Sequence, residues 1–134
     1  MNIFIEHIGL PAADSVALEN WYERVLGARV IWDNGQQPPT FIIALASGAW
    51  LEIYPANAAN NSGRGDNKLA GFRHLALRVD SLDAAKAGLE KLGVKFREEV
   101  RPAAGGGKIV FFEDSEGNLL HLVERPQGFT IDDL

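Results

Sequence analysis

The sequence contains no cysteine. Disulfides, thiolate metal sites and cysteine nucleophiles are excluded together. It also has no surplus of basic residues, since 13 Lys and Arg against 18 Asp and Glu leave a formal charge of −5. Nucleic acid and anionic membrane surfaces are therefore not expected partners, because both are held by a basic face. Long apolar runs are missing as well. The longest uncharged stretch, residues 34–51, is broken by prolines, Thr40, Ser47 and Gly48, short of the ~20 apolar residues a spanning helix needs. Met1 to Glu6 lacks the basic stretch and long apolar segment of an export signal, so a soluble cytoplasmic protein is expected. What remains is 134 residues, 46% hydrophobic and 23% charged. That is an ordinary globular composition, and the length suits one domain with a real core.

The chain repeats itself. His7-Ile8-Gly9-Leu10-Pro11-Ala12-Ala13-Asp14-Ser15 has a partner in His74-Leu75-Ala76-Leu77-Arg78-Val79-Asp80-Ser81, offset first by 67 and then by 66 residues. Both copies run into a helical pattern that ends in Leu-Gly, at Leu26-Gly27 and Leu92-Gly93. Gly48-Ala49-Trp50-Leu51-Glu52-Ile53 likewise resembles Gly117-Asn118-Leu119-Leu120-His121-Leu122. Each copy reads as strand, helix, then three strands. Asp14-Ser15 and Asp80-Ser81 supply N-cap chemistry, and Gly27 and Gly93 the stops. The helical stripes are Val16, Leu18, Trp21, Tyr22, Val25 and Leu26, then Leu82, Ala85, Leu89 and Leu92. The remaining strands are expected at residues 28–33, 41–46 and 50–55, then 94–100, 108–113 and 119–125. The α+β reading is thus a single 1–134 domain of two tandem βαβββ modules, each about 55 residues. The first covers about 1–56, a linker 57–70, the second about 71–126 and a tail 127–134.

Strand side chains alternate, so parity assigns faces. Ile8, Leu10, Leu51 and Ile53 should meet the first helix, with Leu75, Leu77, Val79, Leu120 and Leu122 meeting the second. His7, Glu52, His74 and His121 then fall at repeat-related positions on the non-helical faces, and small Gly9 and Ala76 leave room beside two of them. Glu124 is a rival to His121, but three residues along a strand is the opposite face, so it is read as a rim or solvent residue. These are the chain's three histidines, and with one carboxylate they suit a divalent ion such as Zn, Ni, Fe or Mn.

The residues that carry these features resemble the vicinal oxygen chelate superfamily, which includes glyoxalases, bleomycin resistance proteins and extradiol dioxygenases. The likeness runs from Ile3 to Pro126. It rests on His7-Ile8-Gly9-Leu10, Trp21-Tyr22-Glu23-Arg24-Val25-Leu26-Gly27, Phe72-Arg73-His74-Leu75-Ala76-Leu77-Arg78-Val79-Asp80 and Phe112-Glu113-Asp114-Ser115-Glu116-Gly117-Asn118. The resemblance implies curved half-barrel sheets with helices outside, a homodimer, and a metal held by His7, Glu52, His74 and His121. It further implies a glyoxalase-like lyase or isomerase in which the metal stabilises an enediolate-type anion from a small substrate with vicinal oxygens, Glu52 being the preferred base and His121 the second. Glyoxalase I has Glu at the position of His121, and its glutathione-binding positions correspond to Pro11, Ala56 and Ala70 here, so lactoylglutathione is not implied as product. One alternative is an Fe(II) extradiol-type dioxygenase using His7, His74 and Glu52, whose family tyrosine is replaced by Phe111 or Phe112. The other is a metal-free binder of the bleomycin-resistance kind.

Of the aromatics Trp32, Phe41, Trp50, Tyr54, Phe72 and Phe111, the substrate pocket is assigned to Trp50, Tyr54 and Phe72. Arg78 joins them as the group for a substrate anion, because it shares the His74 face. Ala104-Gly105-Gly106-Gly107-Lys108 lacks the spacing of a phosphate cradle and reads as a mobile loop at the cavity mouth. Arg64-Gly65-Asp66 lies in the linker, where an adhesive role is a minor reading.

Overall fold

The computed structural model describes residues 1–58 and 65–130. Much of the expected linker, Arg64 of the Arg64-Gly65-Asp66 run and the end of the tail lie outside the described residues. In chain order the elements are β1 (His7–Ala12), α1 (Ser15–Leu26), β2 (Arg29–Asp33), β3 (Phe41–Ala44) and β4 (Trp50–Pro55), then β5 (His74–Arg78), α2 (Leu82–Lys91), β6 (Arg101–Pro102), β7 (Lys108–Glu113) and β8 (Leu119–Glu124). They form two open four-stranded sheets ordered β1-β4-β3-β2 and β5-β8-β7-β6. In each sheet the first strand pairs in parallel with the last, while the remaining pairs are antiparallel. The protein is α+β, with the duplicated βαβββ topology. Two compact units result: Met1–Ser62 with Asp114–Glu116, and Gly63–Glu113 with Gly117–Leu134.

Both N-caps and the α1 stop are where the sequence places them, while α2 has Leu92 as its C-cap, one residue before the expected Gly93. The Asp14 carboxylate accepts the Ala17 N–H at 2.9 Å, and Ser81 Oγ accepts that of Ala84 at 3.3 Å. Gly27 closes α1 in the left-handed region at φ 66°, which an L side chain adopts only at a cost. The buried face of α1 differs from the expected stripe. It runs through Ser15, Leu18, Glu19, Tyr22 and Val25, while Val16 is exposed and Trp21 half-buried. Polar residues enter this face because most find partners there. Ser15 Oγ donates to the Pro39 carbonyl at 2.7 Å, and the Tyr22 hydroxyl donates to Asp114 Oδ2 at 2.9 Å. In α2, Leu82 and Leu89 are buried, but Leu92 is the C-cap and 41% exposed, so it leaves the expected stripe.

Leu51 and Ile53 are buried on the helix side of the central strand β4, and so are Leu120 and Leu122 of β8. Their counterparts on edge strands β1 and β5 are less covered. Ile8 is 42% exposed, and Leu75 and Leu77 are half-buried, as expected of strands at a sheet margin. The strand expected at residues 94–100 does not form; pairing is confined to Arg101–Pro102. Glu98 Oε1 accepts the Phe111 N–H at 3.1 Å, so a side chain takes the β7 donor that a longer β6 would have used. Among the described residues no helix is long and apolar enough to cross a membrane.

Candidate functional site

Register fixes which side chains share the non-helical face of the first sheet. His7 pairs with Trp50, Trp50 with Ala44, and Ala44 with Arg29. The next row is Gly9, Glu52, Ile42 and Trp32, followed by Pro11 and Tyr54. His7, Glu52, Trp50 and Tyr54 therefore come together on one surface, with Trp32 in the Glu52 row. Trp50 is 38% exposed and Trp32 50% exposed, so both indoles have face free in this unit. A Cβ at Gly9 would lie 3.2 Å from Tyr54 Cε1, a contact that makes the small residue what seats the tyrosine ring.

His7 Nε2 lies 4.0 Å from Glu52 Oε2, and His7 Nδ1 is held by Glu6 Oε2. That hydrogen bond is the main reason the His7 imidazole titrates above its ordinary range; desolvation opposes it, and the charges of Glu6 and Glu52 reinforce it.

On the second sheet, Ala76 pairs with His121 and His121 with Phe111, while His74 pairs with Leu119. The His74 and His121 rings sit 4.6 Å apart, and the Phe111 ring stands edge-on to both at 5.3 and 4.8 Å. His74 Nδ1 is 2.9 Å from Asn67 Oδ1. His121 is buried, and its Nδ1 has no hydrogen-bond partner among the described residues. Burial, then the neighbouring His74, Arg125 and Arg101, lower its pKa to about 4. A buried neutral imidazole with an unspent nitrogen is a group with a lone pair to give. A row further on, Arg78, Val123, Ile109 and Arg101 share the face. Arg101 stacks over the Phe111 ring at 5.1 Å.

Some expected residues sit elsewhere. Phe72 precedes β5 and is fully exposed. Arg78 is engaged, its two terminal nitrogens 3.5 Å from the Phe129 carbonyl. Glu124 is not a solvent residue but a helix partner, because its Oε2 accepts the Leu82 N–H at 2.7 Å at the start of α2, with Lys108 Nζ at 3.8 Å. The glycine run is a hairpin turn closed by Gly106 N–H to the Ala103 carbonyl and Ala103 N–H to that of Gly107. Arg125 clamps it through the Ala104 and Gly106 carbonyls, so the expected mobile loop is instead a tied turn. Glu6 and Asn67 escaped sequence reasoning, since nothing in the spelling of either segment shows which side chain meets an imidazole.

Among the described residues, no three His, Asp or Glu side chains gather closely enough to hold a cation. Each unit by itself contributes two of the four expected donors. The chemistry of those donors nonetheless fits a borderline divalent metal: nitrogen and oxygen ligands without sulfur, one of them a buried, unpartnered imidazole.

The model of the Glyoxalase/Bleomycin resistance protein/Dioxygenase superfamily matches residues 4–122. A glyoxalase family protein from Enterococcus faecalis is 28% identical, with a TM-score of 0.74 over 90% of this chain and 97% of that one. The fosfomycin resistance protein FosX of Listeria monocytogenes, crystallised with Mn(II) and sulfate, is 20% identical, with a TM-score of 0.69 over 95% and 94% of the two chains. A glyoxylase/bleomycin resistance protein/dioxygenase domain from Frankia sp. EAN1pec is 20% identical, with a TM-score of 0.75 over the full length of both. No curated protein matches the chain. With nearly nine-tenths of its length matched and its duplicated topology shared, the chain belongs to the Glyoxalase/Bleomycin resistance protein/Dioxygenase superfamily.

Proposed function

We propose that this protein is a metal-dependent lyase or isomerase of the glyoxalase kind, acting on a small molecule with two adjacent oxygens. His7, Glu52, His74 and His121 would supply the donors for one divalent ion. The observation that carries this reading is the buried His121 imidazole, whose Nδ1 has no partner among the described residues where a purely structural core would supply one. Mn(II) in the FosX structure supports a cation in this superfamily. A divalent ion held by these four residues would supply Lewis acidity for negative charge on vicinal oxygens.

The chain's own residues do the rest. Glu52 is the base: it is half-exposed on the non-helical face of β4, in the row of Gly9, where the Tyr54 ring packs against the glycine. Trp50 and Tyr54 flank it and exclude water from the apolar part of the substrate. Arg78, exposed and held by long 3.5 Å contacts to the Phe129 carbonyl, would exchange them for an anionic substituent. His121 is the weaker candidate base, because burial holds it neutral. Pairing of two copies is part of this proposal, and light scattering reads it directly.

The test is elemental analysis of the purified protein, followed by loading with Mn, Zn, Ni and Fe(II) under thermal shift. One tightly bound divalent ion per chain is expected, lost in H7A, H74A and H121A variants. With the loaded protein, exchange of the α-proton of a hydroxyketone into deuterium oxide should depend on Glu52 and fall at least about a hundredfold in E52Q, the usual scale for a general base. A protein that takes up no metal, or an exchange rate untouched by E52Q, refutes the assignment.

A further inference from the structure

We propose that Glu6 and Asn67 are positioning residues, each holding the Nδ1 proton of one imidazole so that the ring presents its Nε2 lone pair to the metal. This rests on the metal reading above. A neutral imidazole carries one N–H, and whichever nitrogen finds an acceptor keeps it. Carboxylate and amide oxygens only accept. Glu6 Oε2 sits on His7 Nδ1, and Asn67 Oδ1 sits 2.9 Å from His74 Nδ1. Both rings are therefore set in the same tautomer. In the first unit the nitrogen left over is the one that faces Glu52, at 4.0 Å.

The two acceptors are not copies of one another. Glu6 immediately precedes His7, and the equivalent residue before His74 is Arg73, which has no acceptor to offer. Asn67, seven residues before His74, supplies the oxygen instead. The duplicated topology explains where the imidazoles stand. It does not explain why each has an oxygen on the same nitrogen, which two unrelated positions provide. His121 is the contrasting case, since its Nδ1 has no such oxygen among the described residues. Partners of this sort raise ligand basicity and remove rotational freedom, and their loss weakens metal binding by 10- to 100-fold as a rule.

The experiment uses the full chain, metal-free and 15N-labelled, at about pH 8.5, where neutral tautomers are read from two-bond imidazole spectra. In the wild type, His7 and His74 should show a protonated Nδ1 and a bare Nε2. N67A should move His74 toward the Nε2–H tautomer and leave His7 alone; E6A should do the converse. Zn2+ affinity, measured by competition calorimetry, should fall roughly tenfold in each, and N67D should restore both signals. A wild-type His74 that is mainly the Nε2–H tautomer, an N67A spectrum unchanged at His74, or an N67A affinity within about twofold of wild type overturns the proposal while the metal reading stands. Tautomers that respond as stated in a protein with no Zn2+ uptake leave the tautomer assignment upheld and remove the metal reading alone.

Discussion

Glu19 offers a test of how the first unit is packed. It occupies the sheet-facing side of α1 between Leu18 and Tyr22, is 6% exposed, and its Oε1 has no hydrogen-bond partner among the described residues. Burial raises its pKa first of all; the charge of Glu23 and a carboxyl–carboxyl hydrogen bond with it add to the rise. Leaving a buried acceptor unsatisfied costs ~1–3 kcal/mol. Glu19→Leu removes that cost and keeps the volume, so it should stabilise the fold by about the same amount, or roughly 3–10 °C in Tm for a chain of this length. The pH dependence has a definite sign. A carboxyl whose folded pKa is raised binds its proton more tightly when folded, so the native state loses stability as pH climbs from the unfolded value through the folded one. The gap between Glu19→Leu and wild type should be small near pH 4 and widen to a plateau toward neutrality, with Glu23→Gln narrowing it. Urea titrations followed by circular dichroism across that range measure it. A Glu19→Leu protein less stable than wild type at neutral pH, or a gap that does not change with pH, refutes the reasoning.

Tyr22→Phe removes the hydroxyl that donates to Asp114 at 2.9 Å, and a lost bond to a charged acceptor should cost about 1.5–3 kcal/mol in urea unfolding. Gly107→Ala places a Cβ 1.9 Å from the Glu124 carbonyl oxygen at φ 88°, so it should destabilise by at least about 2 kcal/mol and show as loss of soluble folded protein or a lowered Tm. Metal-free wild type should lose stability as pH falls from about 6.5 to about 4, because the unfolded chain takes up a proton that buried His121 refuses; the full loss is on the order of 3 kcal/mol. His121→Gln should lack that acid limb, and a pH profile shared by the two proteins would contradict it.

The topology was readable because it is written twice. Two short strands can look alike by accident, but His7 and His74, the Leu-Gly stops and the Gly-initiated strands recur in one order. Strand parity then sorted His7 from Ile8 and His121 from Glu124 without a structure, since a two-residue period leaves no intermediate orientation. The helices were harder. Ser15, Glu19 and Tyr22 are buried, and a hydrophobicity pattern alone assigns Val16 and Trp21 in place of Ser15 and Glu19. What admits Ser15 and Tyr22 is a tertiary hydrogen bond to a carbonyl 24 residues away or a carboxylate 92 residues away. The missing strand before Arg101 has the same cause, as Glu98 takes a ladder donor through its side chain. Local propensity could not register either.

His7 of the first sheet and His121 of the second sit in opposite electrostatic settings, and under the proposed function this bears on which residue moves protons. His7 lies between two carboxylates, Glu6 and Glu52, and titrates above its ordinary range. His121 lies under Phe111 near two guanidinium groups and drops to about 4. A catalytic base works best when its pKa lies near the working pH. A buried imidazole that stays neutral to about pH 4 is a poor proton acceptor, though a ready electron-pair donor. Glu52 stands in a different setting: it is only half-buried, and its Oε2 lies 4.0 Å from His7 Nε2. Under the proposed function, proton transfer is therefore better placed on Glu52 of the first sheet than on His121 of the second.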